Sequence, residues 1–329
     1  MSDPEKPISK PEDFYGQKTI VRKIFSRIGA ERPQSVAIIG GRKIGKTSLL
    51  NYLASETVYR NFLGPNYQLY YERLNLGASL KASDFISNLS DSLKISLLDG
   101  ETPYARLQRG IDEIHRQGTN LIFLFDDFHF ITQNSGFPLE FFSFLRSLAN
   151  NFNVAYVTSS FLELQKLCVA KDIEESPFFN IFTNLSLGFL EEEEAVSLLI
   201  NLTGWPQADA HAVISWLGPH PYLIKILAQQ FRSVPPKKES LSQVCMPFLS
   251  HYFTDIVSIL SPEAFKALKE LAKGKVVAER DQPYLKPLLR HRFLEEESGI
   301  IFFAEAFRQF IQNDLKTDML KGKNHLSRS

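Results

Sequence analysis

Cysteine is almost missing from this 329-residue chain. Only Cys168 and Cys245 occur, far apart and in no CxxC pair. That argues against a disulfide framework or a zinc cage and fits a reducing compartment, so a cytoplasmic location is expected and both thiols are read as core fillers. Long apolar runs are missing too. No stretch nears the roughly 20 residues that a membrane span needs, and the polar, partly acidic start has neither the basic nor the apolar part of a secretory signal. A membrane partner is therefore not expected. Excess charge of one sign is also absent, because 37 Lys+Arg balance 37 Asp+Glu. Nothing global draws the chain to nucleic acid, which leaves only a local basic patch. There is no sequence repeat and no low-complexity tract.

What is present is a soluble globular composition, 44% apolar and 22% charged, in a chain long enough for two or three domains. Residues 1–12, with three prolines and little apolar content, read as a mobile tail. Residues 17–30 place Ile20, Val21, Ile24, Phe25 and Ile28 on one helical stripe. Apolar runs at 35–39 and 120–125, with strand-like segments at 67–76, 153–157 and 183–187, alternate with helical patterns at 46–57, 83–98, 103–117 and 138–150. Apolar strands joined by helical crossovers predict an α/β fold, a parallel sheet with helices on both faces. From about 190 the pattern turns helical, at 191–202, 208–217, 222–232 and 240–258. The stretch 262–315 reads as two helices, a β-ribbon (292–295 and 299–303) and a last helix through Phe307 and Phe310, an order that suggests a winged helix. The expected domains are a tail (1–12), an α/β core built on the parallel sheet (13–188), a helical domain (189–258), a winged helix (259–315) and a polar tail (316–329).

One motif carries chemistry. Gly40-Gly41-Arg42-Lys43-Ile44-Gly45-Lys46-Thr47 matches G-x-x-x-x-G-K-[ST], follows an apolar strand and opens an amphipathic helix. Gly40 and Gly45 allow dihedrals that a side chain would forbid. Backbone N–H groups of 40–48, Ser48 included, wrap phosphates at the helix N-terminus. Lys46 supplies charge to the β- and γ-phosphates, and the Thr47 hydroxyl ligates Mg²⁺. About 80 residues on, Leu121-Ile-Phe-Leu-Phe ends in Asp126-Asp127. Asp126 suits the Mg²⁺ role, and Asp127 the carboxylate that orients the attacking water; the bland alternative is a pair of solvated loop acids. An Asn-Lys-x-Asp motif for guanine is absent, so the expected nucleotides are ATP and ADP.

With these residues in place the chain resembles the STAND class of P-loop ATPases, related to AAA+ and Orc/Cdc6-like proteins, and within it the AAA-like and archaeal-ATPase branch, over roughly residues 14–315. Phe14-Tyr15-Gly16-Gln17 resembles the F-x-G-R box, with Gln17 replacing Arg; the resemblance puts Tyr15 and Gly16 near the adenine. Gly45-Lys-Thr-Ser-Leu-Leu is a form common in this group, and Asp126-Asp127 matches its Walker B. Ser176-Pro-Phe-Phe followed by the acidic run 191–194 resembles the link from core to lid. His220-Pro221-Tyr222-Leu223 resembles the H-P-Y-L motif, which implies that Pro221 packs near the base and couples the lid to the nucleotide. The resemblance also implies a γ-phosphate sensor at Thr158 or Ser159, where Ser160 replaces an Arg frequent in relatives. Arg146 is a candidate arginine finger for a neighbouring subunit or, more plainly, a surface or salt-bridged residue. His129 is read as a loop histidine or a contact to nucleotide or water, residues 191–194 as a helix cap, and the Phe stripe at 141, 142 and 144 as core.

Three functions fit these features. The favoured one is an ATP-binding, slowly hydrolysing switch whose nucleotide state controls lid closure and is read by a protein partner or by self-assembly. The alternative is a DNA-associated ATPase, a loader or a regulator of transposition or replication. The stretch 261–329 holds 13 Lys+Arg against 10 Asp+Glu, too slight an excess to favour strong phosphate binding, so a hinge role for the winged helix is preferred over DNA. The third is a nucleotide-bound scaffold with negligible turnover. STAND proteins usually attach an effector or repeat array to this core; no stretch is left over for one here, so action through another protein is expected.

Overall fold

The computed structural model describes residues 3–74, 81–296 and 299–313. The chain forms two compact units, Pro7–Leu187 and a second made of Gly188–Ser329 with Met1–Lys6.

The first unit is built on five strands: β1 (Ser35–Ile39), β2 (Tyr67–Arg73), β3 (Asn120–Asp126), β4 (Val154–Ser160) and β5 (Phe182–Ser186). They pair in the order β2-β3-β4-β1-β5, and every pairing is parallel. Successive side chains of β3 and β4 are buried. A strand buried on alternate sides needs cover on both faces of the sheet, and the crossover helices provide it. They are α2 (Lys46–Ala54), α3 (Glu56–Leu63), α4 (Ala82–Ser92), α5 (Pro103–Arg116), the single turn α6 (His129–Thr132), α7 (Leu139–Asn151) and the single turn α8 (Lys171–Glu174), and α1 (Lys18–Ile28) precedes the first strand. Phenylalanine is the main filler. Phe123 and Phe125 of β3 meet Phe85 of α4, Phe141 and Phe142 of α7, and Phe178 in one continuous cluster. Phe144 stands edge-on to Tyr104 at 4.8 Å, so the stripe at 141, 142 and 144 is packing, as its spacing implies.

Three stretches differ from expectation. The pattern at 46–57 breaks at Ser55, which takes an extended conformation, and a separate helix follows. The helix expected over 83–98 stops at Ser92. Lys94 adopts the left-handed region (φ 58°), and the amides of Lys94 and Ile95 turn back to the carbonyls of Asp91 and Ser90. That is a Schellman stop with lysine where glycine is usual. Residues 7–12, expected as a mobile tail, carry structure. The Ile8 amide donates to Ser48 Oγ (3.0 Å), the Asn51 side chain donates to the Ile8 carbonyl (2.9 Å), and residues 11–13 form a 3₁₀ turn. The continuation of β2 to Leu76 and the tail from 316 lie outside the described residues.

The second unit comprises α9 (Glu192–Thr203), α10 (Gln207–Leu217), α11 (Pro221–Gln230), α12 (Leu241–Ser258), α13 (Pro262–Ala272), α14 (Gln282–Arg290), an antiparallel ribbon of β6 (Leu294–Glu296) with β7 (Ile300–Phe302), and α15 (Glu305–Asn313). The acidic run starts α9 as expected. The Glu194 carboxylate accepts the Glu191 amide (3.4 Å), and three acids sit in the positively polarised first turn. His220 is fully buried ahead of Pro221. Its Nδ1 accepts the Tyr222 amide (3.2 Å) and its Nε2 lies 2.7 Å from the Tyr252 hydroxyl. Because Nδ1 accepts, the ring proton sits on Nε2 and is donated to Tyr252. Among the described residues no helix is long and apolar enough to cross a membrane.

Candidate functional site

The site lies in the first unit, at the edge where β1, β3 and β4 end. Register makes the gathering. Ile38 pairs with Ser159, Ile39 with Ser160, and Phe125 with Thr158, so Gly40, Asp126 and Ser159 emerge together. The Gly40 amide donates to the Ser160 carbonyl (3.1 Å), which carries the ladder one residue into the loop.

The loop's glycines do different jobs. Gly45 is left-handed (φ 107°), as expected, and Lys43 before it is left-handed too (φ 60°). Gly40 is not. It is needed for room, because a Cβ there would sit 2.9 Å from the Leu187 carbonyl oxygen. Helix α2 then starts at Lys46 with no side-chain cap on Gly45. An uncapped start leaves the first N–H groups directed out of the helix end, toward any anion in the loop. The Ile44 side chain is buried and anchors the loop from beneath, Arg42 is exposed, and Gly41 and Ser48 are buried. Lys46 Nζ donates to the carbonyls of Gly40 (2.8 Å) and Gly41 (2.9 Å). Burial pulls the Lys46 ammonium below its ordinary range, and the charges of Asp127 and Asp126 oppose that pull. Thr47 is half-buried in the first turn of α2.

Asp126 is fully buried at the end of β3. Ser159 Oγ donates to its Oδ1 (2.5 Å) and accepts the Asp127 amide (2.8 Å); the Tyr71 hydroxyl donates to its Oδ2 (3.2 Å). Asp127 turns out of the strand with φ 57°. Burial, and then the Asp126 charge, pushes its carboxyl above the ordinary carboxylate range, against the pull of Lys46 and Arg73. Of the two sensor candidates, Ser159 therefore touches the acid pair. Thr158 is fully buried in β4, and among the described residues its hydroxyl has no hydrogen-bond partner.

Other expected residues fall elsewhere. Tyr15 and Gly16 follow Phe14, whose ring stacks on Tyr52 of α2 at 4.4 Å, so this segment lies along the helix that the phosphate loop opens. Among the described residues no contact joins Arg146 to Lys46, Asp126 or Asp127; it lies on α7 with a buried, unpartnered Nε. Pro221 belongs to the second unit. His129 is not a loop residue. It opens α6, is buried, and packs against Phe130 and Phe161 at 4.3 and 4.9 Å. Burial, and next the Lys46 charge, lowers its ring to about 4, so it is neutral at neutral pH. Sequence reasoning missed Tyr71 and Arg73. They share one side of β2 by strand alternation, and Arg73 pairs in register with Asp126.

The donor set suits a magnesium nucleotide. It offers a hydroxyl and a carboxylate, hard oxygen ligands, beside a phosphate cradle. Among the described residues no group of three or more His, Cys, Asp or Glu could hold a metal by itself. Magnesium is commonly held by one or two protein ligands together with substrate phosphates, without such a cage.

A search of curated proteins finds no match. Among solved structures, the Walker-type ATPase PABY2304 of Pyrococcus abyssi superposes with a TM-score of 0.61 at 14% identity, covering 94% of this chain and 99% of that one. The ORC2 protein of Aeropyrum pernix, solved with ADPNP and ADP, superposes with a TM-score of 0.56 at 12% identity and 97% coverage of both chains. At such identities the likeness shows the fold alone, an α/β P-loop NTPase-like fold. The family model described as Novel STAND NTPase 2 matches residues 30–286, well over half the chain. The chain therefore belongs to the Novel STAND NTPase 2 family and is a STAND-class P-loop NTPase.

Proposed function

We propose that this protein binds ATP with Mg²⁺, hydrolyses it slowly, and uses the nucleotide state as a switch read by a protein partner or by a second copy. The observation that carries the reading is the meeting of Lys46, Asp126, Asp127 and Ser159 at one sheet edge, beside an uncapped helix start. Backbone N–H groups of 41–48 hold the phosphates, the Gly40 amide being committed to the Ser160 carbonyl, and Lys46 exchanges the Gly40 and Gly41 carbonyls for the β- and γ-phosphates. Thr47 and Asp126 hold Mg²⁺, which when bound neutralises phosphate charge. Asp127 orients the attacking water and accepts its proton; its raised pKa moves it toward the operating pH, where a general base works best. Ser159 senses the γ-phosphate through the two acids, since its one hydroxyl proton goes to Asp126 and its oxygen accepts the Asp127 amide. Tyr15 and Gly16 line the base.

Pro221 carries the nucleotide state to a lid formed by 189–258, and 259–315 is a winged helix serving as a hinge. The order α13, α14, ribbon, α15 supports that assignment. Two free, unlinked thiols support a cytoplasmic location. Small-angle scattering of the apo, ADP and ATP-analogue states tests the switch. A change of shape or mass between the ADP and ATP-analogue states is expected; identical curves in all three states would sink it.

A further inference from the structure

Asp126 is a buried carboxylate gripped from both sides. On one side Ser159 Oγ, from β4, holds Oδ1 at 2.5 Å; on the other the Tyr71 hydroxyl, from β2, holds Oδ2 at 3.2 Å. Ser159 is itself fixed by the Asp127 amide at 2.8 Å. Tyr71 reaches Asp126 because β2 and β3 run parallel with Leu124 opposite Tyr71 and Asp126 opposite Arg73, so a long aromatic side chain spans the step of two residues to the strand end. An ionised carboxylate can only accept, so the Tyr71 hydroxyl serves Asp126 as a donor.

An ionised carboxylate has about four acceptor sites. The two hydroxyls use one on each oxygen, fix the carboxylate plane, and leave the remaining lone pairs to a cation. Phenylalanine would pack here as well as tyrosine, so the hydroxyl is the informative atom.

We propose that Tyr71 is a positioning residue for the metal: its hydroxyl holds the Asp126 carboxylate in the orientation that receives Mg²⁺, and so sets the Mg²⁺ requirement of the nucleotide site. The proposal rests on the reading of Asp126 as a Mg²⁺ ligand. Partners that orient a metal's own ligands typically change metal affinity by 10–100-fold when removed.

The test compares the full-length native protein with Tyr71→Phe and Asp126→Asn. Each is titrated with a fluorescent ADP in EDTA and then across Mg²⁺ concentrations, with thermal melting as a folding control. For Tyr71→Phe the expected result is unchanged ADP affinity in EDTA, a melting temperature near native, and a Mg²⁺ half-saturation raised at least tenfold. A native-like Mg²⁺ half-saturation in Tyr71→Phe, with Asp126→Asn clearly impaired, overturns the Tyr71 role alone. An equal loss of ADP affinity with and without Mg²⁺ also overturns it, since that pattern reports damage to the pocket and not to the metal. Native-like Mg²⁺ behaviour in Asp126→Asn overturns the parent assignment and this one together.

Discussion

At the residue scale, Asp127 holds the most testable chemistry. It sits left-handed at the strand end, and burial beside Asp126 lifts its carboxyl. A base with a raised pKa is protonated sooner as pH falls. Turnover should therefore decline on the acid side at a pH above the ordinary aspartate value of about 3.9. The same shift has a stability sign. The native state holds the Asp127 proton more tightly than the unfolded chain, so this stabilisation is present at low pH and is lost as pH rises through the folded value. At neutral pH the ionised group is a cost. Asp127→Asn removes the charge, and asparagine tolerates φ 57°. The expected variant binds nucleotide normally, melts no lower than native, and turns over about 100-fold or more slowly, the scale of a lost general base. Steady-state phosphate release with a parallel melting curve checks all three points, and unchanged turnover would refute the catalytic assignment.

At the element scale, the hinge between sequence and structure is local periodicity. The apolar runs at 35–39 and 120–125 announced β1 and β3, and the motif at 40–47 placed the loop. These signals need only neighbours in sequence. Chain signals that act at a distance were illegible. Gly40 looks like a dihedral requirement and is a packing requirement, set by a carbonyl 147 positions away at Leu187. Tyr71 is one residue of a strand-like segment until the β2–β3 register brings it to Asp126. Lys94 stops α4 in a conformation usually left to glycine, so composition gave no warning.

The start of α11 shows the same contrast. His220 reads as one letter of a motif, yet it works as a buried cap. Its ring is pushed down to about 3 by burial, against about 6.5 unfolded. A histidine with a depressed folded value stabilises the protein above its unfolded pKa and loses that contribution as pH falls toward the folded one, with a slope of up to about 1.4 kcal/mol per pH unit. Both tryptophans, Trp205 and Trp216, lie in this unit and donate within it, to the Phe231 carbonyl and the Gln309 side chain. Urea unfolding followed by tryptophan fluorescence at pH 7 and pH 5 therefore reads the right unit. His220→Gln should lower stability at pH 7 by about 1–3 kcal/mol, the cost of a disturbed buried hydrogen-bond pair. It should also lose about 2 kcal/mol less than native between pH 7 and 5. Equal losses in both proteins would remove His220 from the acid response.

At the scale of the whole molecule, the placement of tryptophan allows a sharper test of the switch. The phosphate loop belongs to Pro7–Leu187, and both tryptophans belong to the other unit. A ligand that binds only the native state stabilises whatever folds together with its site, by about 2.7 kcal/mol at a concentration 100 times its Kd. If nucleotide were held by the first unit alone, magnesium ADP would shift only the first unit's share of the far-ultraviolet circular dichroism transition, to which the helices of both units contribute, and leave the tryptophan transition in place. If Pro221 completes the site, as the switch requires, the tryptophan transition must move as well, although no phosphate-loop residue lies near either indole in sequence. We expect both transitions to shift upward with magnesium ADP, and neither to shift in Lys46→Ala. A shift confined to the circular dichroism signal would leave nucleotide binding intact and end the case for a lid that senses it. An equal shift of both signals in Lys46→Ala would instead trace the effect to magnesium or ADP acting away from the loop.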